Sequence, residues 1–362
     1  MTVPTVAPRC FVFTAVHFGP YQSLLPLEAV LEPRAAVYVV EGISKAHRKL
    51  KGEPLLDVSD LGTKYGGADS FLAALRPAAV VRGVSEGVEG DDAEALLAEA
   101  ARARSVPVFA VEDFPGNFWP RPEERLDALF VEDESARALH ASRGVPSAKV
   151  YVTGNPRYDA LRRVDRAARR AETRQALGLQ EETAVLWVGQ PDAGDSAATL
   201  ERLLPDLKRL GVTLLFRAHP RDAGYRTGRY DQLFASSGMR VLDVTSAGDV
   251  VGLCCASDLV ATQFSSVAVE AGYLGTPAVF AVFEDLGGRY LRTHKGYAVP
   301  PWCENNCAFL IDDVKIALPV VDRALHDAGT RRVVLENFSR RYTMKPDSAP
   351  AIAAVIRERV GG

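Results

Sequence analysis

Residues 257–280 read SDLVATQFSSVAVEAGYLGTPAVF, and this stretch decides the fold. The apolar run Leu259–Thr262 predicts a short buried strand, and a polar turn with two serines leads from it into a helix that carries Glu270. A Gly-Thr-Pro turn then leads into a second apolar strand. Strands that alternate with a helix in this way are typical of an α/β protein with a parallel sheet.

The two serines are expected at the N-terminus of the predicted helix. There, unpaired backbone N–H groups and the positive end of the helix dipole favour an anion, so Ser265, Ser266 and the backbone of Val267 suit a diphosphate. Glu270, one turn further on, offers only acceptor oxygens and suits a ribose diol. Serine is also a common helix cap, so this segment alone leaves a nucleotide site and a structural cap open.

The same stretch resembles the nucleotide-binding segment in the C-terminal domain of GT-B fold proteins. That superfamily includes sugar-nucleotide glycosyltransferases, non-hydrolysing UDP-N-acetylglucosamine 2-epimerases and CDP-glycerol glycerophosphotransferases. Three further segments are similar to superfamily motifs and occur in the required order: VTGNPRYD (152–159), LWVGQP (186–191) and FRAHPR (216–221). The resemblance implies the GT-B fold but does not choose among the activities.

Apolar, β-branched runs alternate with helical patterns along the chain, and the alternation restarts after residue 180. We therefore predict an α/β protein with two tandem Rossmann-like domains and a ligand in the cleft between them. The N-terminal, acceptor-side domain is placed at residues 1–168 and the C-terminal, nucleotide-sugar-binding domain at 169–345. The resemblance implies that a last helix, within 346–362, packs back on the N-terminal domain.

Composition limits the classes of partner. With 362 residues and a net charge of −3, the chain is large enough for two domains and has no general affinity for nucleic acid or anionic membranes. No signal peptide is expected from the first residues, and since the sequence has no run of about 18 apolar residues, no transmembrane segment is expected either. Its five cysteines lack zinc-site spacing, which favours a reduced cytoplasmic protein without metal. No cofactor is implied, and a homodimer is left open.

A candidate base follows the first predicted strand. His17 occupies a position similar to that of the histidine that deprotonates the acceptor in many inverting GT-B glycosyltransferases, and an imidazole accepts a proton near neutrality. Glu112 and Asp113, which follow the strand at 107–111, are the candidates to orient this base. A packing or helix-capping role for the histidine remains the alternative.

In the second domain, the resemblance implies that His219, beside Arg217, meets the diphosphate. Gly189 and Gln190 fall in the loop after this domain's first strand, where phosphate and base are expected. The His-Pro pair can also be a simple turn. GT-B enzymes typically use helix dipoles and cations in place of a metal ion, and none is predicted here.

The segments VEDFPG (111–116) and PEERLD (122–127) are also similar to the glutamate segments of the 2-epimerases. However, VRGVS (81–85) lacks the carboxylate that those enzymes carry there, and the loop after the first strand lacks their Gly-x-Arg-x-Glu. Transfer to an acceptor is therefore favoured over epimerisation. Candidate contacts to the donor sugar or acceptor are Arg82, Glu123, Glu124, Asn155 and Arg289, the last in a glycine- and cation-rich loop.

These observations favour a cytoplasmic, metal-independent, inverting glycosyltransferase of the hexosyltransferase type. It would move a sugar from a nucleotide-sugar donor to a small-molecule or lipid-linked acceptor in polysaccharide or natural-product biosynthesis. The alternatives are a UDP-N-acetylglucosamine 2-epimerase-like enzyme, a CDP-glycerol-type polyol-phosphate transferase and a catalytically inactive GT-B-like binding protein.

Overall fold

The computed structural model describes residues 10–31, 36–40, 42–85, 93–119, 126–191, 193–246, 249–343 and 347–361. The chain divides into two compact units. Unit 1 contains Met1–Asp159 together with Lys345–Gly362, and unit 2 contains Ala160–Met344. Glu123 and Glu124 lie outside the described residues.

Each unit is built on one parallel sheet. The strands of unit 1 are β1 (Phe11–Ala15), β2 (Ala36–Val40), β3 (Leu56–Asp57), β4 (Ala79–Arg82), β5 (Val108–Val111), β6 (Ala128–Val131) and β7 (Val150–Val152). Those of unit 2 are β8 (Ala184–Val188), β9 (Thr213–Arg217), β10 (Val241–Asp243), β11 (Leu259–Thr262), β12 (Ala278–Ala281) and β13 (Phe309–Ile311). Their orders are β3-β2-β1-β4-β5-β6-β7 and β10-β9-β8-β11-β12-β13.

Helices connect most successive strands of each sheet, since parallel strands need crossover connections. The first six are α1 (Phe18–Val30), α2 (Gly42–Leu50), α3 (Val58–Tyr65), α4 (Ala68–Leu75), α5 (Ala93–Ala103) and α6 (Glu134–Ser142). They are followed by α7 (Arg166–Ala176), α8 (Ala193–Arg209), α9 (Ala223–Arg226), α10 (Arg229–Ser237), α11 (Val250–Ala256) and α12 (Val267–Tyr273). The remainder are α13 (Gly288–Tyr290), α14 (Pro301–Glu304), α15 (Ala317–His326), α16 (Ala328–Phe338) and α17 (Ser348–Val360).

The sheets explain why the strands read as continuous apolar runs. β1 and β8 are fully buried because helices cover both faces of a parallel sheet. In each sheet, consecutive strands run outward from one central strand and the order then reverses, at β1/β4 in unit 1 and at β8/β11 in unit 2. The predicted α/β architecture of two Rossmann-like units is thereby confirmed.

The C-terminal helix α17 belongs to unit 1. Ile352 and Ile356 are fully buried in the same core as Phe13 of β1 and Leu24 of α1. The carboxylate of Asp159 accepts hydrogen bonds from the amides of Ser348 (2.9 Å) and Ala349 (2.8 Å), which otherwise lack partners at a helix start. Within the described ranges, no helix is long and apolar enough to cross a membrane.

Candidate functional site

The reversal points of the two sheets position the candidate residues. In an open parallel sheet, the loops that leave the carboxyl ends of the strands diverge at such a point and leave room for a ligand. The loops concerned follow β1, β4 and β5 in unit 1, and β8, β9 and β11 in unit 2. Each unit therefore has its own candidate site at the carboxyl ends of these strands, which is called the edge of that unit below.

In unit 1, a buried carboxylate holds the ends of β1 and β4 together. Glu94, in the first turn of α5, accepts hydrogen bonds from the amide of Val16 (3.0 Å) and from the hydroxyl of Ser85 (2.6 Å). Arg82 pairs with the same carboxylate at 3.4 Å and is itself only 6% exposed. The guanidinium proposed to contact a substrate is therefore engaged with protein.

His17 lies at this end of β1, as its sequence position predicts. It is the N-cap residue of α1, with φ −93° and ψ 156°, and its amide donates to the hydroxyl of Ser85 (3.0 Å). Its side chain is partly exposed. The serine links the histidine backbone to the Glu94 cluster and so fixes where α1 begins.

Asp113 reaches the same turn from β5. A Cβ atom on Gly19 would overlap Oδ2 of Asp113, so the start of α1 can approach this carboxylate only because residue 19 is glycine. Oδ1 accepts a hydrogen bond from the Asn117 amide (2.8 Å). Desolvation by the surrounding protein raises the pKa of Asp113 to about 7, although Asn117 and the positive charge of Arg157 act in the opposite direction.

Glu112 has different surroundings from its neighbour. Its Oε1 contacts Nε2 of His140 at 2.7 Å and accepts a hydrogen bond from the amide of Phe118 (3.0 Å). Glu112 is 2% exposed and His140 is completely buried. The structure brings Glu112 to the histidine of α6 rather than to the exposed edge, a partner that sequence reasoning missed.

Asn155 also has a positioning contact. Its side-chain amide donates to the backbone carbonyl of Asp113 (3.2 Å), and its Oδ1 accepts from the amide of Arg157 (3.1 Å). The asparagine is 1% exposed. It therefore ties the loop after β7 to the loop after β5 and helps to hold Asp113 in place.

In unit 2, the loop after β8 lies tightly against the end of β9. The amide of Gly189 donates to the carbonyl of Arg217 (2.9 Å), and a Cβ atom at residue 189 would lie 3.3 Å from the amide nitrogen of His219. Gln190 is buried and donates from Nε2 to the hydroxyl of Thr262 (3.3 Å), which joins β8 to β11 across the reversal point.

The geometry of His219 defines its tautomer. Its Nδ1 accepts a hydrogen bond from the backbone amide of Arg221 (3.1 Å), so the neutral ring carries its proton on Nε2. A hydrogen-bond donor is thus fixed at the end of β9. The nearby guanidinium of Arg217 is half-buried, and desolvation lowers its pKa while the negative charge of Glu270 opposes that shift.

The serine turn after β11 has the predicted position at the start of α12. Ser266 is the N-cap residue, and the hydroxyl of Ser265 accepts from the amide of Val267 (3.3 Å). That amide is therefore already capped within the turn. Glu270 is 8% exposed and lies in the first turn of the helix, on the side of Arg217.

The glycine- and cation-rich loop packs on this turn through an aromatic stack. Tyr290 lies between Phe264, with ring centroids 5.5 Å apart, and His294, at 4.4 Å. Arg289 is exposed beside the stack, and Lys295 is buried, where desolvation lowers its pKa to about 7. From the sequence, this loop could be either a ligand contact or a solvated segment. The stacking partners are far apart in the chain, so no local pattern indicates that they pack together.

The chain matches the sequence model of one known protein family. Residues 117–299 match the sequence model of a family described as CDP-glycerol:poly(glycerophosphate) glycerophosphotransferase. No curated protein matches the chain.

Solved structures with low sequence identity share the fold over nearly the whole chain. The structure of S. aureus MnaA with UDP is 16% identical, with a TM-score of 0.68 and 97% of each chain covered. The UDP-GlcNAc 2-epimerase from Neisseria meningitidis, bound to UDP-GlcNAc, is 15% identical, with a TM-score of 0.66 and coverage of 97% of this chain and 99% of that one. The wall teichoic acid polymerase TagF, as its H548A variant, is 14% identical, with a TM-score of 0.59 and coverage of 98% and 90%. The predicted membership of the GT-B superfamily is confirmed.

Proposed function

We propose that this chain, which belongs to the CDP-glycerol:poly(glycerophosphate) glycerophosphotransferase family, transfers a polyol phosphate from a cytidine-diphosphate donor to a hydroxyl group of an acceptor. The observation that carries the proposal is the family match over residues 117–299. This range includes His219, Ser265, Ser266 and Glu270, which are the polar groups at the reversal point of unit 2. Hexosyl transfer, which the sequence favoured, becomes the second candidate.

In the proposed reaction, the acceptor oxygen attacks the phosphorus atom that bears the polyol. The bond from that phosphorus to the bridging oxygen breaks, and cytidine monophosphate leaves. The proton of the acceptor hydroxyl passes to a base of the protein. A phosphodiester is formed, and no oxidant or reductant is needed.

We assign the base to Asp113 rather than to His17. A general base works best when its pKa is close to the operating pH, and desolvation brings the pKa of Asp113 to about 7. A carboxylate that merely orients a histidine must stay ionised, which a raised pKa opposes. His17, at the start of α1, is then assigned to hydrogen bonding with the acceptor.

We assign the stabilisation of the leaving nucleotide to residues of unit 2. The proton on Nε2 of His219 can donate to a phosphate oxygen as negative charge develops on the departing nucleotide. Arg217 adds positive charge at the same strand end, and the serine turn adds hydroxyl groups. Glu270 would accept hydrogen bonds from the ribose hydroxyls.

Epimerisation is less well supported by the described carboxylates. Elimination and re-addition of a nucleotide need carboxylates that are exposed to the sugar. Glu94 is completely buried within a cluster of protein donors, and Glu112 is paired with His140. Asp113, whose pKa is raised by desolvation, suits a single proton transfer to a base.

The released nucleotide tests the proposal. The purified chain is incubated with CDP-glycerol, CDP-ribitol or UDP-hexoses, with and without glycerol phosphate as acceptor. Chromatography measures the nucleotide, and ³¹P NMR measures the new phosphodiester. Acceptor-dependent release of cytidine monophosphate is expected. Release of a nucleoside diphosphate would replace the proposal with hexosyl transfer, and an altered UDP-sugar without acceptor would replace it with epimerisation.

A further inference from the structure

Unit 2 contains a cavity of about 630 Å³ at the edge of its sheet opposite to the serine turn. Asp258 and Pro277, which directly precede β11 and β12, are among its lining residues, whereas the serine turn follows β11. Arg166 lies on the α7 side, and Arg331 and Arg340 lie on the side of α16 and the turn that follows it. The cavity is therefore separate from the residues assigned to the donor.

The lining is strongly cationic in a chain whose net charge is −3. Four arginines line the cavity against two carboxylates: Arg166, Arg331, Arg332 and Arg340 against Asp258 and Glu336. Both carboxylates are already paired, Asp258 with Arg170 (2.7 Å) and Glu336 with Arg332 (3.7 Å). Among the described residues, no carboxylate forms an ion pair with the other three lining arginines.

Two of these arginines are held by contacts that leave most of their donors available. Nη2 of Arg166 donates to the hydroxyl of Thr276 (3.4 Å), and Nη1 of Arg331 donates to the carbonyl of Leu325 (2.9 Å). A guanidinium has five N–H donors in a fork, so each side chain is oriented without being saturated.

Arg166 lies close to other positive charges at this cavity. Arg166 is exposed, and partial desolvation lowers the pKa of its guanidinium. The positive charges of Arg170 and Arg331 also lower this pKa, whereas Cys255 and the negative charge of Asp258 oppose the shift. Arg166 is also the first residue of α7, where the helix dipole disfavours a cation. An anionic ligand would offset the repulsion among these cations and the unfavourable helix dipole.

We propose that this cavity is a second anion site, which binds a phosphate-bearing small molecule such as a diphosphate or a polyol phosphate. Paired arginine forks match the geometry of phosphate oxygens. The volume is in the range of small-molecule pockets. This inference does not depend on the reaction assigned to the chain.

Isothermal titration calorimetry with inorganic pyrophosphate tests the site. The Arg166→Gln/Arg331→Gln variant is compared with the parent and with Arg209→Gln/Arg229→Gln, which removes the same charge from exposed arginines of unit 2 outside the cavity. We expect the affinity of the cavity variant to fall at least tenfold, on the order of 1.4 kcal/mol, and that of the control to change less than twofold. Equal affinity in all three proteins would overturn the proposal.

Two additional measurements distinguish the cavity from the donor site and from a membrane-binding surface. Arg217→Gln, which alters the donor side, should leave this pyrophosphate binding intact; its loss there would mean that the donor site alone binds the probe. Sedimentation with phosphatidylglycerol vesicles tests the membrane: vesicle binding that depends on the arginines, without pyrophosphate binding, would overturn the proposal.

A single substitution guards against a folding defect in the double variant. Arg340 is exposed and lines the cavity from the turn after α16. Arg340→Gln should therefore weaken pyrophosphate binding while the thermal unfolding of the protein stays close to that of the parent. Unchanged binding in this variant, together with unfolding of the double variant, would also overturn the proposal.

Discussion

The candidate sites at the carboxyl ends of the two sheets carry different charged and polar groups. At the carboxyl ends of the unit 1 strands, Glu94 is buried and accepts hydrogen bonds from protein donors, and Glu112 is buried against His140. Asp113 lies beside the start of α1, where desolvation raises the pKa of its carboxyl group. In unit 2, the edge presents donors instead, namely the Nε2 proton of His219, the guanidinium of Arg217 and serine hydroxyls. In the function that we propose, the unit 1 site accepts a proton and the unit 2 site binds an anion.

A base in one unit and an anion site in the other would suit the transfer of a group from an activated phosphate. A base must change its protonation state during the reaction, which requires partial desolvation and a pKa near the working pH. A phosphate site needs hydrogen-bond donors and positive charges that are already fixed in place, because its task is to stabilise negative charge as it develops. The following substitutions test whether the two edges can be impaired independently.

The largest effect is expected from Asp113→Asn, which removes the proposed base and keeps the hydrogen-bonding shape. Turnover should fall by a factor of about 10² to 10⁴, with donor affinity nearly unchanged. In the parent, kcat/KM should fall as the pH decreases through about 7, because the carboxylate is then protonated. Steady-state kinetics from pH 5 to 9 measures both quantities.

The stability of the same pair of proteins provides an independent check. The folded-state pKa of Asp113 is raised from 3.8, so the folded state binds more protons than the unfolded state between pH 4 and pH 7. The stability of the parent relative to Asp113→Asn should therefore decrease over this interval as the pH rises.

If His17→Gln abolished turnover and Asp113→Asn did not, the base would be the histidine.

In unit 2, His219→Ala should lower kcat by about 10² to 10³, the usual effect of removing a donor that stabilises developing charge. KM for the donor should change little, because the contact strengthens only as the nucleotide departs. His326→Ala, which removes an exposed histidine of α15, serves as the matched control. An unchanged kcat in His219→Ala would remove the leaving-group assignment.

The sequence predicted which segments reach these edges better than which side chains face the ligand. The alternation of buried strands and helices is a local pattern, and it located His17, His219 and the serine turn at strand ends. Glu112 and Asp113 are adjacent, and adjacent residues point in different directions. Which of the two is buried depends on His140 of α6, a contact across 28 positions that no local pattern encodes.

The cationic cavity illustrates the same limit. Its lining comes from the start of α7, the residues before β11 and β12, and α16 with the turn that follows it. Arg166 lies within an arginine-rich segment whose spacing is typical of a solvated helix. Only the fold brings that segment next to Arg331 and Arg340.

Glu112→Ala tests whether this carboxylate is structural. It would leave the ring of His140 and the amide of Phe118 without a buried partner, so the free energy of unfolding should fall by about 3 kcal/mol in urea denaturation. Activity per folded molecule should stay close to that of the parent. Glu112→Gln, which keeps an acceptor for Phe118, should lose less stability. A stable but inactive Glu112→Ala protein would instead place this carboxylate in the chemistry.

The smallest effect is expected from Glu270→Ala, which tests whether the edge of unit 2 recognises the nucleoside as well as the phosphates. Loss of hydrogen bonds from the ribose to a charged acceptor should weaken nucleotide binding by about 1 to 3 kcal/mol. The same substitution removes the negative charge that opposes the lowered pKa of Arg217. Calorimetry with cytidine diphosphate and with inorganic pyrophosphate separates the two roles when Glu270→Ala is made in the Arg166→Gln/Arg331→Gln protein, where the cavity no longer masks pyrophosphate binding at the donor side. If Glu270 binds the ribose, only the nucleotide should lose affinity; equal losses for both probes would show that Glu270 acts by positioning Arg217, and no loss for either would remove it from the site.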